Sequence, residues 1–193
     1  MNKNYLRTIL KREWKYRLSL ALFSFFLIIN NSYSQQKTFK ITKNKISLHY
    51  PKNWQYAYNF LSTPLTLFGP KLKNRRAVIS INNTNVQNFS FDKKELSENQ
   101  SNYKKGRLKW IKKNKGKVVR FTGYRISAWN FVKEVHSIGY SYTLGNDLFL
   151  EKAYFFNCNG ELYNISTLMT WEQNKTYGKQ IKKILSSFKC LKD

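Results

Sequence analysis

The sequence predicts an α+β fold, an antiparallel sheet with helices packed on it. Three observations predict it. The C-terminal half alternates apolar and polar residues around the turn signals Gly145-Asn146-Asp147 and Asn159-Gly160, the pattern of half-buried strands joined by hairpins. Residues 93–113 place apolar and basic side chains on opposite faces of a helix. Near the C-terminus Ile181, Ile184, Leu185 and Phe188 follow Tyr177 at the spacing of one helical stripe.

Before these elements comes a segment of another kind. Lys3, Arg7, Lys11, Arg12, Lys15 and Arg17 face a single acid, Glu13. Residues 18–29, LSLALFSFFLII, carry no charge. That run is shorter than the ~20 residues a membrane-spanning helix needs. Ser32 and Ser34 fit a small-x-small cleavage pattern with the cut before Gln35. Residues 1–34 therefore read as a secretory signal peptide, with an uncleaved N-terminal anchor as the rival. The first cysteine after the apolar run is Cys158, so the cleavage point has no thiol to carry a lipid. Residues 35–193 read as a single domain with no membrane span, in the periplasm or secreted.

In that domain Phe39 and Ile41, then Ile46, Leu48 and Tyr50, alternate with polar residues as strands do. Pro51 ends the run, and Trp54 is expected to plug one end of the core. Residues 65–68 form a short apolar strand closed by a turn at Gly69-Pro70, and residues 77–81 form another. Asp92 is a suitable N-cap, with Glu95 three residues on. Leu96, Tyr103, Trp110 and Ile111 form the inward stripe of the helix over 93–113. Gly106 weakens that helix, and Asn114-Lys115-Gly116 ends it. Strands follow at 118–126, 135–144, 148–157 and 161–171, with Tyr163, Ile165, Thr167, Met169 and Trp171 on one face of the last. The closing helix begins at Tyr177.

Composition bounds the function. The 193 residues hold 35 Lys+Arg against 10 Asp+Glu, a formal charge of +25, and 17% are aromatic. So many aromatics argue for a packed core over a disordered basic tail. Without residues 1–34 the charge is still +20, from 29 basic and 9 acidic residues. The excess is concentrated in two clusters. One is residues 71–76, with Lys71, Lys73, Arg75 and Arg76. The other is residues 104–120, with Lys105, Lys109, Lys112 and Lys113 on the outer helix face. Such clusters are candidate anion-binding sites for envelope lipid headgroups or polysaccharide phosphates, and less readily for nucleic acid in an exported protein. The competing reading is a solvated helix face. Tyr103 and Trp110 are able to stack on bases, but their place in the inward stripe favours core packing.

Catalytic signals are weak. No nucleophile elbow, zinc-protease helix, phosphate loop or C-x-x-C occurs. His49 and His136 stand far apart, and no metal or cofactor is expected. Glu134 and His136 share a strand face, a pairing expected as a surface hydrogen bond more than as an acid–base dyad. Cys158 abuts the Asn159-Gly160 turn, and Cys190 follows the last helix. The outgoing strand and the returning helix bring them near each other, so a disulfide is expected in an oxidising compartment, with two free thiols as the alternative.

The stretch Ile46-Ser47-Leu48-His49-Tyr50-Pro51-Lys52-Asn53-Trp54 resembles the opening strand and Tyr-Pro-x-x-Trp of PsbP-like proteins. The end resembles them too: Asn159-Gly160, then Leu162-Tyr163-Asn164-Ile165, then a helix finishing at Ser186-Ser187-Phe188. The resemblance covers residues 39–189 and points to an exported bacterial PsbP-like or DcrB-like protein. It implies an α/β/α sandwich around a central antiparallel sheet. It also implies a non-enzymatic binding or assembly module engaging an envelope protein or an anionic surface. The family offers no shared catalytic motif to carry over. An exported enzyme with a cryptic site and a secreted basic effector are the alternatives.

Overall fold

A computed structural model of the chain describes residues 36–41, 46–87 and 92–191. The reading of residues 1–34 as a signal peptide lies outside them. So do the side chains of Phe39, Ile41, Glu95 and Leu96. From Gln36 onward the chain forms one unit by itself.

Two antiparallel sheets organise that unit. The larger has seven strands: β3 (Gln55–Phe60), β4 (Thr63–Leu72), β5 (Arg75–Gln87), β6 (Lys117–Trp129), β7 (Val132–Leu144), β8 (Asp147–Cys158) and β9 (Glu161–Thr170), in the spatial order β3-β4-β5-β9-β8-β7-β6. The smaller sets β2 (Ile46–Pro51) between β1 (Gln36–Ile41) and β10 (Lys189–Cys190). The helices are α1 (Lys93–Lys113) and α2 (Trp171–Ser186).

The period of two sorts the large sheet into two faces. Leu65 and Leu67 of β4, Ile79 and Ile81 of β5, Ile165 of β9 and Phe156 of β8 point to one core. Ile46 and Leu48 of the small sheet and Ile181, Ile184 and Leu185 of α2 close that core. Trp54 and Phe188 are buried in it, as their positions in the sequence predict. Tyr140, Tyr142 and Phe149 point the other way, and Ile111 of α1 packs on them. The helices thus lie on opposite faces of the sheet, which is the expected α/β/α arrangement.

The hairpins follow their turn chemistry. Asn159 and Gly160 both take positive φ, 53° and 85°, as a type I′ turn requires. Cys158 and Cys190 form a disulfide, with their Cα atoms 5.6 Å apart. It closes a loop of 32 residues, a constraint of about 3–4 kcal/mol on the unfolded chain in the loop-entropy account.

Several expectations are corrected. Gly69-Pro70 is not a turn, because β4 runs through it to Leu72. The register shifts between Phe68 and Lys71, and such a bulge accommodates a proline that lacks a donor. Glycine at 69 leaves room for the Trp54 ring, since a Cβ there would sit in a tight 3.3 Å contact with it. The actual turn is Lys73-Asn74, both at positive φ. Strand β3 went unread: most of its residues are exposed, so it has no buried face to reveal it. The last helix starts at Trp171, six residues before Tyr177. Thr170 and Gln173 form a reciprocal capping box, with Thr170 Oγ1 accepting from the Gln173 amide at 3.2 Å and Gln173 Oε1 accepting from the Thr170 amide at 2.9 Å. Trp171 therefore leaves the strand face and is 45% exposed.

Candidate anion-binding surface

The strand registers bring the two basic clusters together. The pairs Leu72↔Arg75, Phe149↔Thr170, Leu144↔Asp147 and Lys117↔Thr143 all lie at one end of the large sheet. The β4–β5 hairpin delivers Lys71, Lys73, Arg75 and Arg76 to that end. The C-terminus of α1 delivers Lys112 and Lys113, just before Lys117 opens β6. Lys105 and Lys109 lie further back on α1 and are exposed. A line of ring contacts connects the clusters: the Arg75 guanidinium lies 5.2 Å over Phe149, Phe149 stacks on Tyr142 at 5.4 Å, and Tyr142 meets Trp110 at 5.9 Å.

The members of the first cluster differ in what they already hold. Lys73 Nζ pairs with Glu172 Oε1 at 2.6 Å, and Arg75 Nη2 with Asp147 Oδ2 at 2.6 Å. The hydrogen bond to Glu172 raises the Lys73 pKa. Arg76 Nη1 donates to the Gly69 carbonyl at 2.8 Å, which braces the bulge. Among the described residues, Lys71, Lys112, Lys113, Lys115 and Lys117 have no carboxylate partner. At this end of the sheet they are free to meet an anion, as Lys105 and Lys109 are further back on α1.

Beneath α1 the chemistry is different. The inward stripe is Tyr103, Arg107 and Ile111; Trp110 stands beside it, 43% exposed. Core packing therefore describes Tyr103 and Ile111 but not Trp110. Arg107 Nη2 lies 3.5 Å from Glu151 Oε1, and the Tyr140 hydroxyl donates to Glu151 Oε2 at 2.6 Å. Burial, then the bond to Glu151, pushes the Tyr140 pKa far up. Burial, then the charge of Glu151, pushes Tyr142 up to about 12. Both phenols stay protonated at neutral pH, so the cluster acts as a neutralised brace under the helix.

Glu134 and His136 do meet, with Oε1 and Nε2 2.7 Å apart. His136 is fully buried, not at the surface, and its Nδ1 contacts the Tyr124 hydroxyl. His49 lies in the other sheet, where its amide donates to Ser187 Oγ at 2.9 Å. The two histidines do not converge on one site. Among the described residues no cluster of three or more His, Cys, Asp or Glu is placed to hold a metal, and no helix is long and apolar enough to cross a membrane.

The sequence reading missed Arg107 as the half-buried partner of Glu151. Its signal was present: Arg107 stands four residues from both Tyr103 and Ile111. Glu151 has no local signal, because its partners are non-local.

This architecture is that of the PsbP-like proteins. Cyanobacterial PsbP (CyanoP) from Synechocystis sp. PCC 6803 superposes with a TM-score of 0.56 at 10% identity, over 83% of this chain and 95% of that one. LpqN of Mycobacterium tuberculosis, a protein involved in cell envelope biogenesis, superposes with a TM-score of 0.51 at 12% identity, over 84% and 94%. At such identities the likeness establishes the fold. No family model and no curated protein matches the sequence.

Proposed function

We propose that the chain is an exported, non-enzymatic binding or assembly module of the cell envelope, engaging an envelope protein or an anionic lipid or polysaccharide through the basic end of its sheet. The observation that carries this reading is the convergence of residues 71–76 and 112–117 on one end, where the carboxylates Asp147 and Glu172 are already paired. Export draws support from the basic-then-apolar N-terminus with its cleavage pattern before Gln35, and from the Cys158–Cys190 disulfide, a bond favoured outside the cytoplasm. The likeness to LpqN fits an envelope role.

Capture from envelope extract at low and high salt tests the reading. Wild-type protein is expected to capture its partner at low salt, to lose it steeply as salt rises, and to lose it at low salt when Lys112→Glu and Lys113→Glu are combined. Capture indifferent to both salt and charge reversal overturns the basic end as the binding surface. An exported enzyme is a second reading, and it draws on the Glu134–His136–Tyr124 contact. The burial of His136 counts against it, since a general base must reach its substrate. Localisation of a tagged copy separates an envelope module from a secreted effector.

A further inference from the structure

We infer that the basic end of the sheet docks on an anionic lipid surface, with Trp110 and Trp171 as its interfacial anchors. The inference rests on the binding role proposed above and names the chemistry of the partner.

The two tryptophans are far apart in sequence and reach the same end of the sheet. Trp171 follows Thr170, which pairs with Phe149; Phe149 pairs with Tyr142; and Trp110 meets Tyr142 ring to ring at 5.9 Å. The two residues are 43% and 45% exposed, so each leaves apolar surface in water. An indole has an apolar body and one N–H donor, which suits the headgroup level of a bilayer. The lysines around them complete the pattern. Lys71, Lys112, Lys113, Lys115 and Lys117 are exposed and free of carboxylate partners among the described residues. A lysine at a bilayer buries its aliphatic stem against apolar surface while its ammonium group reaches the phosphates.

The details favour lipid over the other polyanions. Most of the free cations are lysines, point charges suited to a diffuse negative surface; bidentate reading of a fixed phosphate calls for arginine. Lys175 lies 5.5 Å over the Trp171 ring, and Tyr142 meets Trp110 at 88°. Neither ring is a clear platform for a nucleic-acid base. A soluble polysaccharide would engage the lysines and leave both indoles in water. A bilayer interface satisfies both at once.

The test sediments the chain from Gln35, which contains the whole described fold, with vesicles of phosphatidylcholine alone or mixed with phosphatidylglycerol. Binding is expected to the mixed vesicles only. Combining Lys112→Glu and Lys113→Glu should weaken it roughly 25-fold or more, at about fivefold per lysine near an anionic leaflet. Combining Trp110→Ala and Trp171→Ala should weaken it about tenfold; because Trp110 packs edge-on against Tyr142, a melting curve sets the temperature at which the folded variant is assayed. Brominated acyl chains should quench the wild-type fluorescence and spare that of the double variant. Equal vesicle binding by the double tryptophan variant overturns the inference. So does binding to dextran sulfate without vesicle binding, an outcome that leaves the proposed module standing with a different anion. Tighter binding to single-stranded DNA than to vesicles also overturns it. Binding to no anion while one envelope protein is captured overturns the lipid inference alone; capture of nothing as well removes both readings.

Discussion

Arg107 and Glu151 face each other across 3.5 Å beneath α1, joining the helix to the middle of β8. Tyr140 donates to the second carboxylate oxygen, so the glutamate is held from two sides. The Arg107 guanidinium also lies 5.3 Å over the Tyr103 ring. Arg107→Ala leaves a largely buried carboxylate with one partner fewer. The expected loss is about 1–3 kcal/mol, the low end reflecting the partial exposure of the guanidinium. Urea unfolding of the variant measures it. A double-mutant cycle with Glu151→Gln separates the pair from the packing of the arginine stem.

Gly106 is a flaw in the same helix that is open to repair. A Cβ built there meets no atom within 4 Å. Gly106→Ala should stabilise the protein by about 0.5–1 kcal/mol through helix propensity and a less flexible unfolded chain. A rise in the urea midpoint at constant slope is the expected result; a fall would show that α1 does not run straight through this residue.

The disulfide should dominate the response to reductant. Replacing Cys158 and Cys190 together by Ser is expected to cost about 3–4 kcal/mol, matching the effect of reduction on the wild type. Thermal unfolding with and without reductant checks it, and the double variant should be indifferent to reductant.

Alkaline pH should weaken the fold through its tyrosines. Burial first, then neighbouring carboxylate charge, raises Tyr142 and Tyr163 from 10.0 to about 12. A raised pKa means that the folded state holds its proton more tightly. The corresponding stability is fully present below pH 10.0 and is lost as pH rises towards about 12. Unfolding free energy measured across that window should fall, and Tyr142→Phe should flatten the fall.

How much of this was legible depends on how local each cause is. Asn159-Gly160 announces its turn because few residues tolerate positive φ at both positions. The stripe from Ile181 to Phe188 announces its helix because one face is buried and the other is not. The start of that helix was written in the sequence as Thr170-x-x-Gln173, but the alternating apolar run before it hid the box. Strand β3 could not be read, since an edge strand with both faces mostly in water has no contrast to display. Lys73-Asn74 is an uncommon pair for a tight turn, and the bulge at Gly69-Pro70 imitates the commoner one. For the candidate surface, both basic clusters were visible as runs of residues. Their meeting was not, because it depends on the order β5-β9-β8-β7-β6, which pairs segments distant in sequence. Trp110 and Trp171 were misplaced for a local reason: each continues a buried periodicity and departs from it by a single position.

The small sheet has a consequence for the order of events in folding. Ser187 Oγ donates to the carbonyl of His49 and accepts from its amide across 138 positions, and Cys190 pairs with Ile46 in the strand alongside. Strand β2 is made early and receives its last neighbour from the final described element. A chain that emerges N-terminal end first must keep that edge waiting while the seven-stranded sheet assembles. Deletion from Ser187 onward should then leave the large sheet paired and the small sheet incomplete, with the β2 flank open to any passing strand.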